Sequence, residues 1–174
     1  MLVTAIEGDI TTQQVDAVVN AANTAMRGGA GVDGAIHRAG GPAILADCVE
    51  RFPNGLPTGA AGWTTAGDLP ARYVIHVVGP NYRAGQRDPE LLASCYREAV
   101  RIADELALST IALPAVSAGI YGWPLDDAAR IAVRTIGEAS RHTRLDEARF
   151  VLLGTDAYTV FSREVTTWSH DRSQ

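Results

Sequence analysis

Asp33 is the acidic side chain with the most unusual sequence surroundings, because it lies within a glycine-rich turn. The turn runs Gly28-Gly29-Ala30-Gly31-Val32-Asp33 and leads into a helical pattern. Turns of this kind expose backbone N–H groups that bind phosphates, and a carboxylate beside them weakens the binding of an anion. An acid at this place therefore indicates a reaction next to a bound phosphate.

A second glycine-containing turn, Ser117-Ala118-Gly119-Ile120-Tyr121, follows the β-type run Thr110–Leu113. Its backbone N–H groups can wrap a diphosphate, since Gly119 permits close approach. Asn20 and Asn23 come just after a buried β-type run, where their amides need partners such as ribose hydroxyls or loop carbonyls. Together these features predict a site for a small ligand that carries a diphosphate.

These segments resemble the macrodomain family, and within it the MacroD-type ADP-ribosylhydrolases, also described as O-acetyl-ADP-ribose deacetylases. The resemblance spans nearly the whole chain, and the order and spacing of its motifs make it specific. The motifs are Gly8-Asp9-Ile10-Thr11, Val15 to Asn23, Gly31 to His37, Tyr73 to Pro80 and Gly119-Ile120-Tyr121-Gly122. The chain departs from the family pattern at Ala30, where glycine is frequent, and at Ala118, where threonine is common.

The resemblance implies a function and a role for each site residue. The protein would remove mono-ADP-ribose from acidic side chains of proteins and deacetylate O-acetyl-ADP-ribose. Asn23 and Asp33 would be catalytic at the distal ribose, with Asp33 acting on a water. Asp9 would accept a hydrogen bond from the adenine amino group. The residues implied to contact the ligand are Asp9, Ile10, Asn20, Gly31, Val32, Ser117, Ala118, Gly119, Ile120 and Tyr121.

Other functions fit parts of the pattern. A binding module that reads ADP-ribose without hydrolysing it would share the same cleft, and so would a phosphatase acting on ADP-ribose 1″-phosphate. The run Gly29 to Gly34 matches G-x-G-x-x-G, yet it follows its strand too late for a dinucleotide-binding fold. Ser117 stands near a nucleophile-elbow pattern, but the downstream histidines, His142 and His170, are poorly placed for a triad.

The sequence predicts neither a metal nor a cofactor. His37 follows Asp33 by one helical turn, but a pair offers too few ligands, and His76 within an apolar strand is expected to be a satisfied core histidine. Cys48 and Cys95 lie in amphipathic helical stretches and are expected to be buried and free. These cysteines indicate a reducing, cytoplasmic environment.

Charge and hydropathy exclude some partners. A formal net charge of −5 argues against binding of a nucleic acid polymer, which depends on Lys and Arg neutralising phosphates. No apolar run is long enough to span a bilayer, and no secretory signal is visible at the start of the chain. We expect no membrane association, and we expect a monomer.

Short β-type runs alternate with helical patterns along the chain, which predicts a mixed, mostly parallel sheet covered by helices on both faces. With the resemblance, this is an α/β fold, a three-layer α/β/α sandwich. Residues 1–168 are expected to form a single domain and residues 169–174 a flexible tail. Strands are predicted at Leu2–Ile6, Ala17–Asn20, Ala60–Thr65, Tyr73–Val78, Thr110–Leu113 and Phe150–Leu153, and helices at Val32–Ala39, Ala43–Arg51, Pro89–Ala107, Leu125–Arg141 and Asp156–Glu164.

Overall fold

A computed structural model describes all 174 residues and contains one six-stranded sheet. The strands are β1 (Leu2–Glu7), β2 (Ala17–Ala22), β3 (Ala61–Thr65), β4 (Tyr73–Val78), β5 (Thr110–Leu113) and β6 (Glu147–Leu152). They lie in the order β1-β6-β5-β2-β4-β3, and every neighbouring pair is parallel except β3 with β4. The sheet is therefore mixed and mostly parallel, as predicted.

Five helices cover the two faces of this sheet. They are α1 (Gly31–Gly40), α2 (Pro42–Arg51), α3 (Pro89–Glu105), α4 (Leu125–Ala139) and α5 (Thr155–Asp171). Along β2, Val18 joins the core beneath α1 and α2, whereas Ala17 and Val19 join the larger core beneath α3, α4 and α5. This alternation is the two-residue period of a strand buried on both faces. The three-layer α/β/α sandwich is confirmed.

Some boundaries differ from the predicted ones. Strand β2 continues through Ala22, so that Asn20 lies inside the strand rather than at its predicted end. Helix α5 continues through Asp171, so no break in the fold occurs at residue 168. In this last part of the helix the Ser169 hydroxyl donates to the carbonyl of Val165, one turn earlier.

Both cysteines are buried and free, Cys48 in α2 and Cys95 in α3. None of the helices combines the length and the apolar character needed to cross a membrane. In the register between β2 and β4, Asn20 pairs with His76. Since side chains of paired residues point to the same face, this register brings an amide and an imidazole together beneath α1.

Candidate functional site

A cleft of about 1040 Å³ lies at the carboxyl ends of the parallel strands. Both glycine-containing turns open into it, and so does the segment after β1. Of the residues expected to act on the ligand, the cleft is lined by Asp9, Ile10, Asn23, Gly31, Val32, Asp33, Ser117, Ala118, Gly119, Ile120 and Tyr121. The position agrees with the rule that ligands bind beyond the carboxyl ends of strands in α/β folds.

The first turn delivers the start of α1 to the cleft. Ala30 precedes the helix with extended backbone and no side-chain cap, and Gly31 has a φ of 61°. Only glycine adopts that conformation without strain. Because no side chain caps α1, the N–H groups of its first turn are free to bind an anion.

The second turn presents backbone without side-chain obstruction. A Cβ placed on Gly119 would meet no protein atom within 4 Å, so the space beside it is open. Ser117 has a φ of 64°, which is unusual for a residue with a side chain. Its hydroxyl is buried without a hydrogen-bond partner. With no base in contact, Ser117 lacks the partner that a serine nucleophile requires.

The side chains of Asp33 and Asn23 lie against Gly29 of the first turn. A Cβ on Gly29 would lie 3.1 Å from Oδ2 of Asp33 and 3.2 Å from Nδ2 of Asn23. The Asn23 amide donates to the carbonyl of Gly28 at 3.2 Å, while its own oxygen is buried and has no partner. The site thus holds a carboxylate that can accept hydrogen bonds from hydroxyls or water, with the NH₂ group of Asn23 on the same side of Gly29.

The Asp33 carboxylate is 4% exposed and is held on one side. Its Oδ1 accepts a hydrogen bond from Nδ2 of Asn20 at 2.8 Å and lies 3.3 Å from Nε2 of His37. Nothing in the protein donates to Oδ2, which leaves that oxygen available at the cleft. A carboxylate fixed in this way can orient a water or take its proton.

Residues 19–132 match the Macro domain family model. The chain belongs to the Macro domain family. It is 44% identical over 165 residues to the O-acetyl-ADP-ribose deacetylase of Escherichia coli K12, covering 92% of this chain and 93% of that protein. Among solved structures, the Oceanobacillus iheyensis macrodomain with ADP is 36% identical at a TM-score of 0.90, covering 96% of this chain and 91% of that one. The Trypanosoma brucei macrodomain in complex with ADP-ribose is 40% identical at 0.86, covering 92% and 68%.

Asp9, which also lines the macrodomain cleft, caps a 3₁₀ turn, Ile10–Thr12. Its Oδ1 accepts from the backbone N–H of Thr11 at 2.8 Å and from the Thr11 hydroxyl at 2.7 Å. These bonds, the hydroxyl first, hold the pKa of Asp9 below its ordinary value. The side chain is therefore a carboxylate at neutral pH, and its Oδ2 accepts no hydrogen bond within the protein.

Asn20 does not line the macrodomain cleft. It is fully buried, and its side chain lies behind Asp33, between that carboxylate and His76. This placement corrects the prediction that Asn20 contacts the ligand. The cause is the greater length of β2, which puts Asn20 within the strand and beneath α1 instead of at the end of the strand.

Sequence analysis did not predict a cluster of potential metal-ligating side chains around His76. Donor atoms of His37, Cys48 and His76 lie within 4.8 Å of one another, and Cys48 comes from α2, a connection that linear spacing does not reveal. The Nδ1 of His76 contacts the side-chain NH₂ of Asn20, and its Nε2 contacts the hydroxyl of Thr64. Burial raises the pKa of Cys48 to about 11, so it remains a thiol at neutral pH. His76 is the satisfied core histidine that was expected.

Proposed function

We propose that this macrodomain binds ADP-ribose and hydrolyses an ester at the distal ribose. The observation that carries the proposal is the free Oδ2 of Asp33 beside the Asn23 amide, in a turn that otherwise presents backbone donors to an anion. A module that only bound a diphosphate would do better without this negative charge. The name of the Escherichia coli relative agrees with the reaction class.

The cleft suggests how ADP-ribose is placed. Adenine lies at Asp9, where Oδ2 accepts from its amino group and the backbone of Ile10 assists. The diphosphate lies between Gly31 and Val32 on one side and the Ser117–Tyr121 turn on the other. Tyr121 covers the distal ribose, and Asn23 and Asp33 face its hydroxyls.

Hydrolysis then needs one activated water. Asp33 Oδ2 accepts a hydrogen bond from the water, which attacks the ester carbonyl. The acyl–oxygen bond breaks, the ribose hydroxyl leaves with a proton, and the acid is released. Because a carboxylate is a weak base at neutral pH, holding the water in line contributes more than proton abstraction. Acetate and an acidic protein side chain are equivalent acyl groups in this scheme.

The test is turnover of three substrates followed by mass spectrometry. These are O-acetyl-ADP-ribose, a protein carrying mono-ADP-ribose on glutamate, and ADP-ribose 1″-phosphate. Asp33→Asn is the matched variant, because it keeps the size of the side chain and an oxygen to accept from Asn20. We expect release from both esters, a loss of about 100-fold or more in kcat for the variant, and ADP-ribose affinity within a few-fold of the parent.

Each alternative function gives a different result. ADP-ribose binding without turnover of any substrate identifies a reader, and turnover of the 1″-phosphate alone identifies a phosphatase. Ester turnover that survives in Asp33→Asn removes Asp33 from the mechanism. We also propose that the protein acts in the cytoplasm and as a monomer. Its free, buried cysteines support the cytoplasmic location. Sedimentation at several concentrations tests the monomer.

A further inference from the structure

A continuous chain of buried hydrogen bonds leads from Asp33 away from the cleft. Nδ2 of Asn20 lies 2.8 Å from Oδ1 of Asp33 and 3.0 Å from Nδ1 of His76. On the other side of the ring, Nε2 lies 2.8 Å from the hydroxyl of Thr64, which donates to the carbonyl of Thr65 at 2.9 Å. The chain thus crosses from α1 through β2 and β4 to β3.

The carboxylate determines the direction of every bond in this chain. An ionised Asp33 oxygen only accepts, so the Asn20 group facing it is the NH₂. The second proton of that NH₂ goes to His76, whose Nδ1 must then be unprotonated. The ring proton is consequently on Nε2, where it is donated to Thr64. A reversed Asn20 amide would set its oxygen against the carboxylate.

Asn20 has no other anchor. Its carbonyl oxygen is buried and has no hydrogen-bond partner, so only the two bonds from its NH₂ hold the amide plane. One of these bonds ends on Asp33 and the other on His76. If His76 did not accept, a single bond to Asp33 would remain, and the amide could rotate about it.

We infer that His76 is a positioning residue for the reaction: through Asn20 it orients the Asp33 carboxylate so that Oδ2 faces the cleft. This inference rests on the proposed function. His76 itself is 1% exposed and touches no ligand space. Burial, with a smaller effect from His37, lowers the pKa of His76 to about 4 against the opposing charges of Asp33 and Asp47, so Nδ1 remains an acceptor at neutral pH.

Two substitutions of His76 separate the Nδ1 contact from the Nε2 contact. The side-chain oxygen of His76→Asn takes the place of Nδ1 and can still accept from Asn20. The longer side chain of His76→Gln reaches the place of Nε2 and retains only the contact with Thr64. We expect kcat of His76→Gln to fall about 10- to 100-fold, with KM and ADP-ribose affinity little changed, and His76→Asn to keep most of the parent rate. Equal rates in the two variants would overturn the inference.

A double-mutant cycle with Asn20→Ala tests whether His76 acts through the amide. If it does, His76→Gln has little further effect on kcat once Asn20 is alanine. If the fold-reductions in kcat caused by the two substitutions multiply in the double variant, His76 serves only the stability of the sheet. Thermal melts and ADP-ribose titrations of each variant establish that it is folded and that its cleft is intact.

A measurement on the unmodified protein needs no activity. The ¹⁵N chemical shifts of the His76 ring report its tautomer, and we expect an unprotonated Nδ1 and a protonated Nε2 at pH 7. A protonated Nδ1 would overturn the inference even if the protein is an efficient hydrolase. If the parent hydrolyses none of the three substrates, the proposed function fails, and the hydrogen-bond chain is still decided by these shifts.

Discussion

The buried imidazole of His76 makes folding stability depend on pH in a way that the structure quantifies. In the folded protein its pKa is lowered from 6.5 to about 4, mainly by burial. The unfolded chain therefore takes up a proton here below about pH 6.5, whereas the folded protein does not until about pH 4. Stability contributed by the neutral ring is complete above pH 6.5 and is lost as the pH falls towards 4.

The size of this loss follows from the shift. One pKa unit corresponds to about 1.4 kcal/mol, so the full range from pH 6.5 to 4 is worth about 3 kcal/mol, and the part between pH 7.5 and 5 about 2 kcal/mol. This is a large share of the 5–15 kcal/mol that typically holds a domain of this kind folded. The asparagine of His76→Asn does not titrate, so this part of the pH dependence should be absent from that variant.

The assay is urea unfolding of the parent and His76→Asn at intervals between pH 4.5 and 8. The difference in unfolding free energy between the two proteins isolates the imidazole from the carboxylates, including the neighbouring Asp33 and Asp47. His142 is exposed, and His142→Asn is measured alongside as the same substitution at a histidine outside the core. A parent-minus-variant difference that stays constant across this range would refute a neutral, buried His76.

Substitutions at three positions test the cleft directly. Gly119→Glu should fold normally, because no atom lies near its Cβ, and should weaken ADP-ribose binding in calorimetry by at least about 1 kcal/mol through charge repulsion; unchanged affinity would exclude this turn as the phosphate site. Gly29→Ala should reduce kcat about 10-fold, because its Cβ must displace Asp33 and Asn23; an unchanged kcat would contradict that geometry. Asp9→Asn and Asp9→Ala should each weaken binding by about 1–3 kcal/mol, with only the alanine also losing the cap on Thr11 and melting earlier. If both variants bind ADP-ribose as tightly as the parent, Asp9 does not contact adenine.

The parts of the site that sequence reasoning predicted are those formed by short stretches of chain. Gly31 and Asp33 belong to one turn and one helix start, so their order along the chain sets their geometry. The same holds for the Ser117–Tyr121 turn. Strand and helix alternation then places both turns at one edge of the sheet, since the carboxyl ends of parallel strands lie together.

The hydrogen-bond chain behind Asp33 could not be predicted in this way. It depends on the register between β2 and β4, which pairs Asn20 with His76, and on β3 bringing Thr64 to the same ring. Local patterns do not determine which residues pair across strands. The sequence signal that existed was the presence of a histidine and an asparagine in otherwise apolar strands, since buried polar groups need partners.

The position of Asp33 is the feature on which the proposal of hydrolysis, rather than simple binding, depends. A carboxylate that faces an anionic ligand at low exposure lowers the affinity for that ligand. Asn20 donates to Oδ1 and holds that oxygen, which leaves Oδ2 as the acceptor at the cleft. Acceptors attract water and hydroxyls, not phosphate. The proposed hydrolysis therefore places the diphosphate against the backbone donors of the two turns, and a hydroxyl or a water against Oδ2 of Asp33.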